Sequence, residues 1–241
     1  CISVAEGILS PTLMVISCSC WNSVHLLAQG SACGKAGPRF NVRSMGTQVP
    51  QREDAGESFL EGKLLIALPG MPDPRFERSV IFICAHSGEG AMGLIINKPV
   101  EGLSFREMME KLQIGVTTNT PDRPILFGGP VQTGRGFVLH SGDYENDDST
   151  LPVTEDISLT ATLDILRAIA DGSGPAKSIF ALGYAGWGAG QIEDEIRSNG
   201  WIHCEPDPNL LFDVELDNKW ATALAKLGID VSGLSAHAGR A

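Results

Sequence analysis

Two histidines stand where strands are expected to end. His86 follows the apolar run Ser79–Ala85, and His140 follows Gly136–Leu139. Asp143 lies three residues beyond His140. An imidazole beside a carboxylate can take up and return protons, so His86, His140 and Asp143 are the candidates for acid–base chemistry. Histidines at loop edges also occur with no catalytic task, and that reading stays open beside the catalytic one.

Glycines supply the other candidates. Gly183, Gly186, Gly188 and Gly190 lie between an expected strand and an expected helix. A strand–glycine loop–helix junction can cradle a phosphate with free backbone N–H groups. Against this, Glu193, Asp194 and Glu195 open the helix and already complement its positive end. The spacing also lacks the G-x-G-x-x-G dinucleotide fingerprint. The alternative is that these glycines permit tight turns and close backbone approach around Trp187. Gly128-Gly129-Pro130, with Arg135 nearby, could hold a carboxylate or phosphate, or could be a turn between two strands. Tyr184 and Trp187 could anchor a partner or belong to the core. The binding candidates are therefore Gly128, Gly129, Arg135, Tyr184, Gly186, Trp187, Gly188 and Gly190.

Other chemistries lack their patterns. There is no G-x-S-x-G elbow for a serine nucleophile and no H-E-x-x-H metal motif. Asp143, Glu145, Asp147 and Asp148 alternate without the glycine and terminal glutamate of a calcium loop, so a solvated loop is expected. Gly30–Lys35 is one residue short of a P-loop and has Ala36 where Ser or Thr is needed. Six cysteines include no C-x-x-C pair, which leaves neither a zinc ribbon nor a dithiol motif. Cys84, inside an apolar run, reads as a buried thiol. No cofactor and no metal are called for.

The elements that must position these residues follow from local pattern. Lys63–Leu68 reads as a buried strand closed by Pro69-Gly70. Ser79–Ala85 and Ala91–Ile96 form a predicted hairpin across the five residues His86 to Gly90. Ser104 and Glu107 make a capping box that opens a helix to about Leu112. Short strands are expected at Ile125–Phe127, Gly136–Leu139 and Ser178–Leu182. Leu159, Leu163, Leu166 and Ile169 recur at helical steps before Gly172. Gln191–Ser198 is a predicted helix stopped by Asn199-Gly200, and Trp220, Leu224 and Leu227 line the face of a last one. A regular βαβα alternation is missing, which favours α+β.

Hydrophobic residues make up 43% of the 241 and charged residues 20%, the mix of an ordinary globular domain. No apolar stretch is long enough for a membrane span. The formal net charge is −11; residues 1–44 carry Lys35, Arg39 and Arg43 against Glu6, so the part from Met45 onward stands at −13. Such a field repels a phosphate backbone, and neither nucleic acid nor a membrane is the expected partner. The expected partner is a protein or a small molecule. Residues 1–58, with four of the six cysteines, read as a disordered leader outside the folded domain, with Met45 as a natural start. A cytoplasmic domain is expected over 59–241.

Blocks along that domain carry a resemblance. They are Gly62 to Ala67 with Pro69 and Met71, Phe76 to Val80, Gly90 to Pro99, Phe127 to Val131, Gly136 to His140, Leu182 to Gln191 with Glu193 and Glu195, and Asn199-Gly200-Trp201. In this order and spacing the chain resembles the YqgE/AlgH family over essentially the family's whole length. The resemblance implies a single compact α+β domain with a partly barrel-like, mostly antiparallel sheet surrounded by helices. It also implies a bacterial cytosolic protein. The AlgH name implies a regulator of exopolysaccharide (alginate) synthesis, without implying a DNA-binding fold, and the family has no agreed catalytic residues to carry over. A non-enzymatic binding or regulatory domain is the expectation. The alternative is an enzyme or anion-binding protein with a site near Gly183–Gly190, His86 and His140.

Overall fold

The computed structural model describes residues 59–117, 120, 122–144 and 149–229. The expected leader over 1–58 and residues 145–148 of the acidic loop lie outside the described residues. Ten strands form one curled, half-barrel sheet with helices packed on it, which is the expected α+β architecture.

Along the sheet the order is β10 (Trp201–Cys204), β1 (Leu64–Ala67), β2 (Val80–Ser87), β3 (Gly90–Ile95), β9 (Ser178–Gly188), β6 (Val131–Ser141), β8 (Ile157–Thr160) and β7 (Thr150–Pro152). Off this path, β4 (Pro99–Ser104) pairs with β5 (Pro124–Phe127), and β5 runs parallel to β9. Every other pairing is antiparallel. The predicted hairpin is present but tighter than expected. β2 runs to Ser87 and β3 starts at Gly90, so His86 lies inside the ladder opposite Ala91.

Among the described residues, two of the buried clusters pack on the sheet beside α1 (Phe105–Lys111), α2 (Leu163–Asp171) and α3 (Gln191–Arg197). In one, Leu65, Ile81 and Ile95 stand in register and pack with Trp187, Ile192 and Trp201 beneath α3. In the other, Ile125, Val138 and Phe180 pack against α1 and α2. Each fully buried Leu, Ile or Phe contributes roughly 1.5–3 kcal/mol, and Leu64, Ile66, Phe82 and Leu94, also fully buried, add to the contribution of these clusters. α1 begins at the predicted capping box: Ser104 Oγ accepts from Glu107 N, and Glu107 Oε2 accepts from Ser104 N at 2.9 Å. α2 ends at Gly172 in the left-handed conformation, as its position predicts. The helix does not include Leu159, which belongs to β8 in register with Leu139; the helical spacing there is a coincidence of two elements. α4 (Leu216–Lys226) lies on β1 and β2, where Trp220 Nε1 donates to Ala67 O at 2.7 Å.

The glycine region is where local pattern misled most. The expected loop Gly183–Gly190 is largely strand, because β9 continues to Gly188 and only Ala189-Gly190 connects it to α3. Gly128-Gly129-Pro130 is not a hairpin turn either. β5 and β6 do not pair with each other; they flank β9 on opposite edges at Phe180–Leu182. The three residues between them therefore cross over β9. A Cβ on Gly128 would overlap the carbonyl of Gly183, and one on Gly129 would overlap Tyr184 and Ala185. Gly183, at φ +72°, faces the same crossing from below, where a Cβ would overlap Gly129 O. Two backbones pass here with no room for side chains, which is why all three positions are glycine.

Candidate functional site

The two histidines are not brought together. His86 is opposite Ala91, which pairs with Trp187 near the C-terminal end of β9, whereas His140 pairs with Ser178 at its start. Nine strand residues separate those positions, roughly 30 Å. Each imidazole is instead built into the fold. His86 Nδ1 accepts from Leu60 N at 2.9 Å, its Nε2 faces Glu193 Oε1 at 2.9 Å, and Phe59 stacks edge-on at 5.4 Å. His140 is fully buried. Its Nδ1 donates to Ser141 O at 2.8 Å, since a carbonyl can only accept, and its Nε2 accepts from Thr160 Oγ1 at 2.9 Å. Thr160 in turn bonds Thr150 at 2.8 Å. Burial pushes the His140 imidazole below its ordinary range, so the neutral tautomer is the resident form. Asp143 serves Ser141 and Ala176 N; the Ser141 hydroxyl holds its carboxyl below the usual range.

The glycine and aromatic candidates divide along β9. Trp187 is 7% exposed and stacks on Trp201 at 6.1 Å. Both indole N–H groups donate to one oxygen, Glu195 Oε2, at 3.0 and 2.8 Å. Gln191 Nε2 donates to the other oxygen, and Gln191 Oε1 accepts from Gly188 N. Trp187 is thus a core residue, fixed by a carboxylate of the helix that follows it. Tyr184, half-buried, stacks on Phe137 at 5.9 Å, and Arg135 sits over the same ring at 5.1 Å. Gly186 and Gly188 are exposed. α3 has seven residues and carries Glu193 and Asp194 in its first turn, so Gly190 precedes a helix end that an anion would avoid.

A pocket of about 440 Å³ opens instead at the other end of β9, within the size range of small-molecule sites. Arg123, Lys177 and Lys219 contribute to its wall, with Leu126, Ile179 and Phe212 among its apolar residues. Arg123 Nη1 donates to Ser178 O and Oγ at 2.8 and 2.9 Å. Lys177 pairs with Asp213, also in the wall, at 2.6 Å. Lys219 is 2% exposed, and its Nζ donates to Leu210 O at 2.7 Å and Leu211 O at 2.5 Å. Those carbonyls belong to a π-helical turn, Asn209–Asp213, a rare conformation often found at functional sites. Burial pushes the Lys219 amine down to about 8, with Asp213 and Glu215 opposing the shift.

None of these pocket residues was a candidate from sequence. One signal existed. Lys219 lies three residues after Leu216 and four before Ala223, which puts a charge on the face the helix buries. Among the described residues, no three His, Cys, Asp or Glu side chains converge as a metal site requires. No helix among them is long and apolar enough to cross a membrane.

The chain is an α+β domain: a curled antiparallel sheet with a single parallel pairing, crossed over where Gly128, Gly129 and Gly183 meet, with Trp187 and Trp201 joined by Glu195. Residues 64–232 match the model of the AlgH-like family, and the chain belongs to that family. It is 53% identical over 201 residues to a UPF0301 protein of Afipia carboxidovorans, covering 80% of this chain and 96% of that one. A UPF0301 protein of Methylocella silvestris is 51% identical over 208 residues, covering 82% and 100%. Among solved structures, the solution structure of the AlgH protein from Pseudomonas aeruginosa superposes with a TM-score of 0.62 at 42% identity, over 78% of this chain and all of that one. A Corynebacterium diphtheriae protein shares the fold at TM-score 0.55 and 18% identity, over 72% and 89%.

Proposed function

We propose that this protein is a non-enzymatic, cytoplasmic binding domain with a regulatory role, and that its small-molecule seat is the pocket where β5, the start of β9 and α4 meet. The observation that carries the reading is Lys219: a lysine 2% exposed in the wall of a 440 Å³ pocket. Burying an ammonium is costly, and two backbone carbonyls of a π turn offset only part of that cost. Such a position is hard to explain by stability alone.

The reading without catalysis is supported by the histidines, each of which spends both ring nitrogens on the fold. Regulation would act through a protein partner or the ligand. A DNA contact is disfavoured by the charge of −13 from Met45 onward. Native mass spectrometry of the full chain, purified gently from its source, tests the proposal. A bound small molecule lost on denaturation, and absent from a variant with Ile179→Trp filling the pocket, is the expected result. A mass matching the bare polypeptide, together with no change in protein contacts on filling the pocket, would overturn it.

A further inference from the structure

Resting on that reading of the pocket, we infer that it takes a small organic anion, a carboxylate or phosphate on a short apolar body, with Arg123 meeting the charged group. Both bonds from Arg123 to Ser178 leave from Nη1. A guanidinium has five N–H donors, so the fork that grips a carboxylate or phosphate is not consumed by Ser178. Ser178 holds that guanidinium in place, which lowers the ordering cost of binding.

The field around the pocket favours the same charge. Two acids, Asp213 and Glu215, join the three cations in the wall. Both acids are exposed and therefore screened by water, whereas Lys219 is buried and screened far less. Asp213 is also engaged by Lys177. α4, eleven residues long, starts at the wall with Leu216, and its first turn has no side-chain cap. Glu215 at its cap and Asp217 in its first turn already complement its positive end, so the helix adds nothing to the field of Lys219. Leu126, Ile179, Phe212 and Leu216 leave an apolar wall for the rest of the ligand. An inorganic ion would waste that surface, and a neutral apolar molecule would leave the excess of three cations over two acids in the wall unmatched.

Benzoate, phenyl phosphate and their neutral analogue benzyl alcohol separate these possibilities, titrated into the full chain at pH 7 and constant ionic strength and followed by backbone amide resonances. Both anions are expected to shift Ser178 and Leu216, and benzyl alcohol to bind at least about tenfold more weakly. The tighter anion tells carboxylate from phosphate. R123Q is expected to lower anion affinity about tenfold and leave benzyl alcohol unchanged. D213N, which releases Lys177, is expected to raise anion affinity several-fold, a gain that misfolding cannot mimic. An anion favours the ammonium of Lys219, faced by Arg123, Lys177, Asp213 and Glu215, so affinity should fall as pH rises past about 8. Equal binding of benzyl alcohol and benzoate would overturn the anion inference while leaving the pocket reading intact. Absence of pocket shifts with any probe up to ~10 mM would also overturn it, and native mass spectrometry would then judge the pocket reading by itself.

Discussion

The two ends of β9 are built from opposite materials. Its C-terminal half, Gly183 to Gly188, holds the glycines and aromatics that a motif search selects, yet every large group there is committed to the fold. Gly128 and Gly129 cross Gly183 at backbone contact, and Trp187 and Trp201 share one carboxylate of Glu195. The N-terminal end, Lys177 to Ile179, carries no motif. It borders a pocket containing a buried lysine, a guanidinium and a π turn. Dense local signal here marks a difficult piece of architecture. The buried and paired charges gather where residues distant in sequence meet.

The strongest way to break that contrast is to change the crossing. G129A puts a methyl group into the Tyr184–Ala185 backbone at a φ of +153°. It should cost more than ~4 kcal/mol or abolish cooperative unfolding in urea. G134A is the control: it lies on the exposed N-terminal stretch of β6 with open space around it, and should stay within about 0.5 kcal/mol of the parent. A tolerated G129A would mean that the crossing is looser than two packed backbones.

Next in size is the corner. E195A leaves two buried indole N–H groups without their acceptor. Each such group costs about 1–3 kcal/mol, so a loss of about 3 kcal/mol in urea denaturation is expected, with a change in tryptophan fluorescence. E195Q keeps an acceptor oxygen and should lose less. Equal losses would show that the carboxylate charge, rather than acceptor geometry, holds the corner.

How much of this was legible follows the same division. Ser104 with Glu107, Gly172 after α2 and the β2–β3 pair were readable, because capping, left-handed termination and tight hairpins are decided within a few residues. The glycines of β9 were read as loop because strand alternation breaks at Gly183 and small residues carry no apolar pattern. Their true reason, a second backbone 55 residues earlier in the chain, is not local. β4, β7, β8 and β10 were not expected either: β7, β8 and β10 span three or four residues each, and no residue of β4 is buried. For the site, the glycine run before α3 put Trp187 and Gly188 forward as candidates, while Arg123, Lys177 and Lys219 stand outside obvious motifs. Only the position of Lys219 on the buried face of α4 gave a warning.

At the pocket, K219M tests whether the lysine serves stability. Removing it leaves the carbonyls of Leu210 and Leu211 without their donor, but also removes a buried charge. These effects oppose each other, and a net change of about 1 kcal/mol at pH 7 is expected. The pH dependence is more telling. With its pKa lowered to about 8 in the folded state, against the ordinary lysine value of 10.5 in the unfolded chain, Lys219 binds fewer protons when folded between those values. Its contribution to stability therefore rises as pH climbs from about 8 to about 10.5. The difference between parent and K219M, measured by urea denaturation across that window, should grow in favour of the parent. A flat difference would mean that the amine stays an ammonium in the fold, held by its two carbonyls.

The smallest expected effect sharpens the comparison most. Lys177 and Asp213 meet at 2.6 Å, but their side chains are 43% and 46% exposed. A pair so open to water contributes about 0.5 kcal/mol or less, and D213N should leave the urea midpoint almost unmoved. The same substitution should change what the pocket binds, because it frees a cation in the wall. Stability without a shift, together with altered anion affinity, is the behaviour of a binding site rather than of a structural corner. If D213N instead destabilised the domain as much as is expected of E195A, both ends of β9 would be architecture, and the contrast between them would be lost.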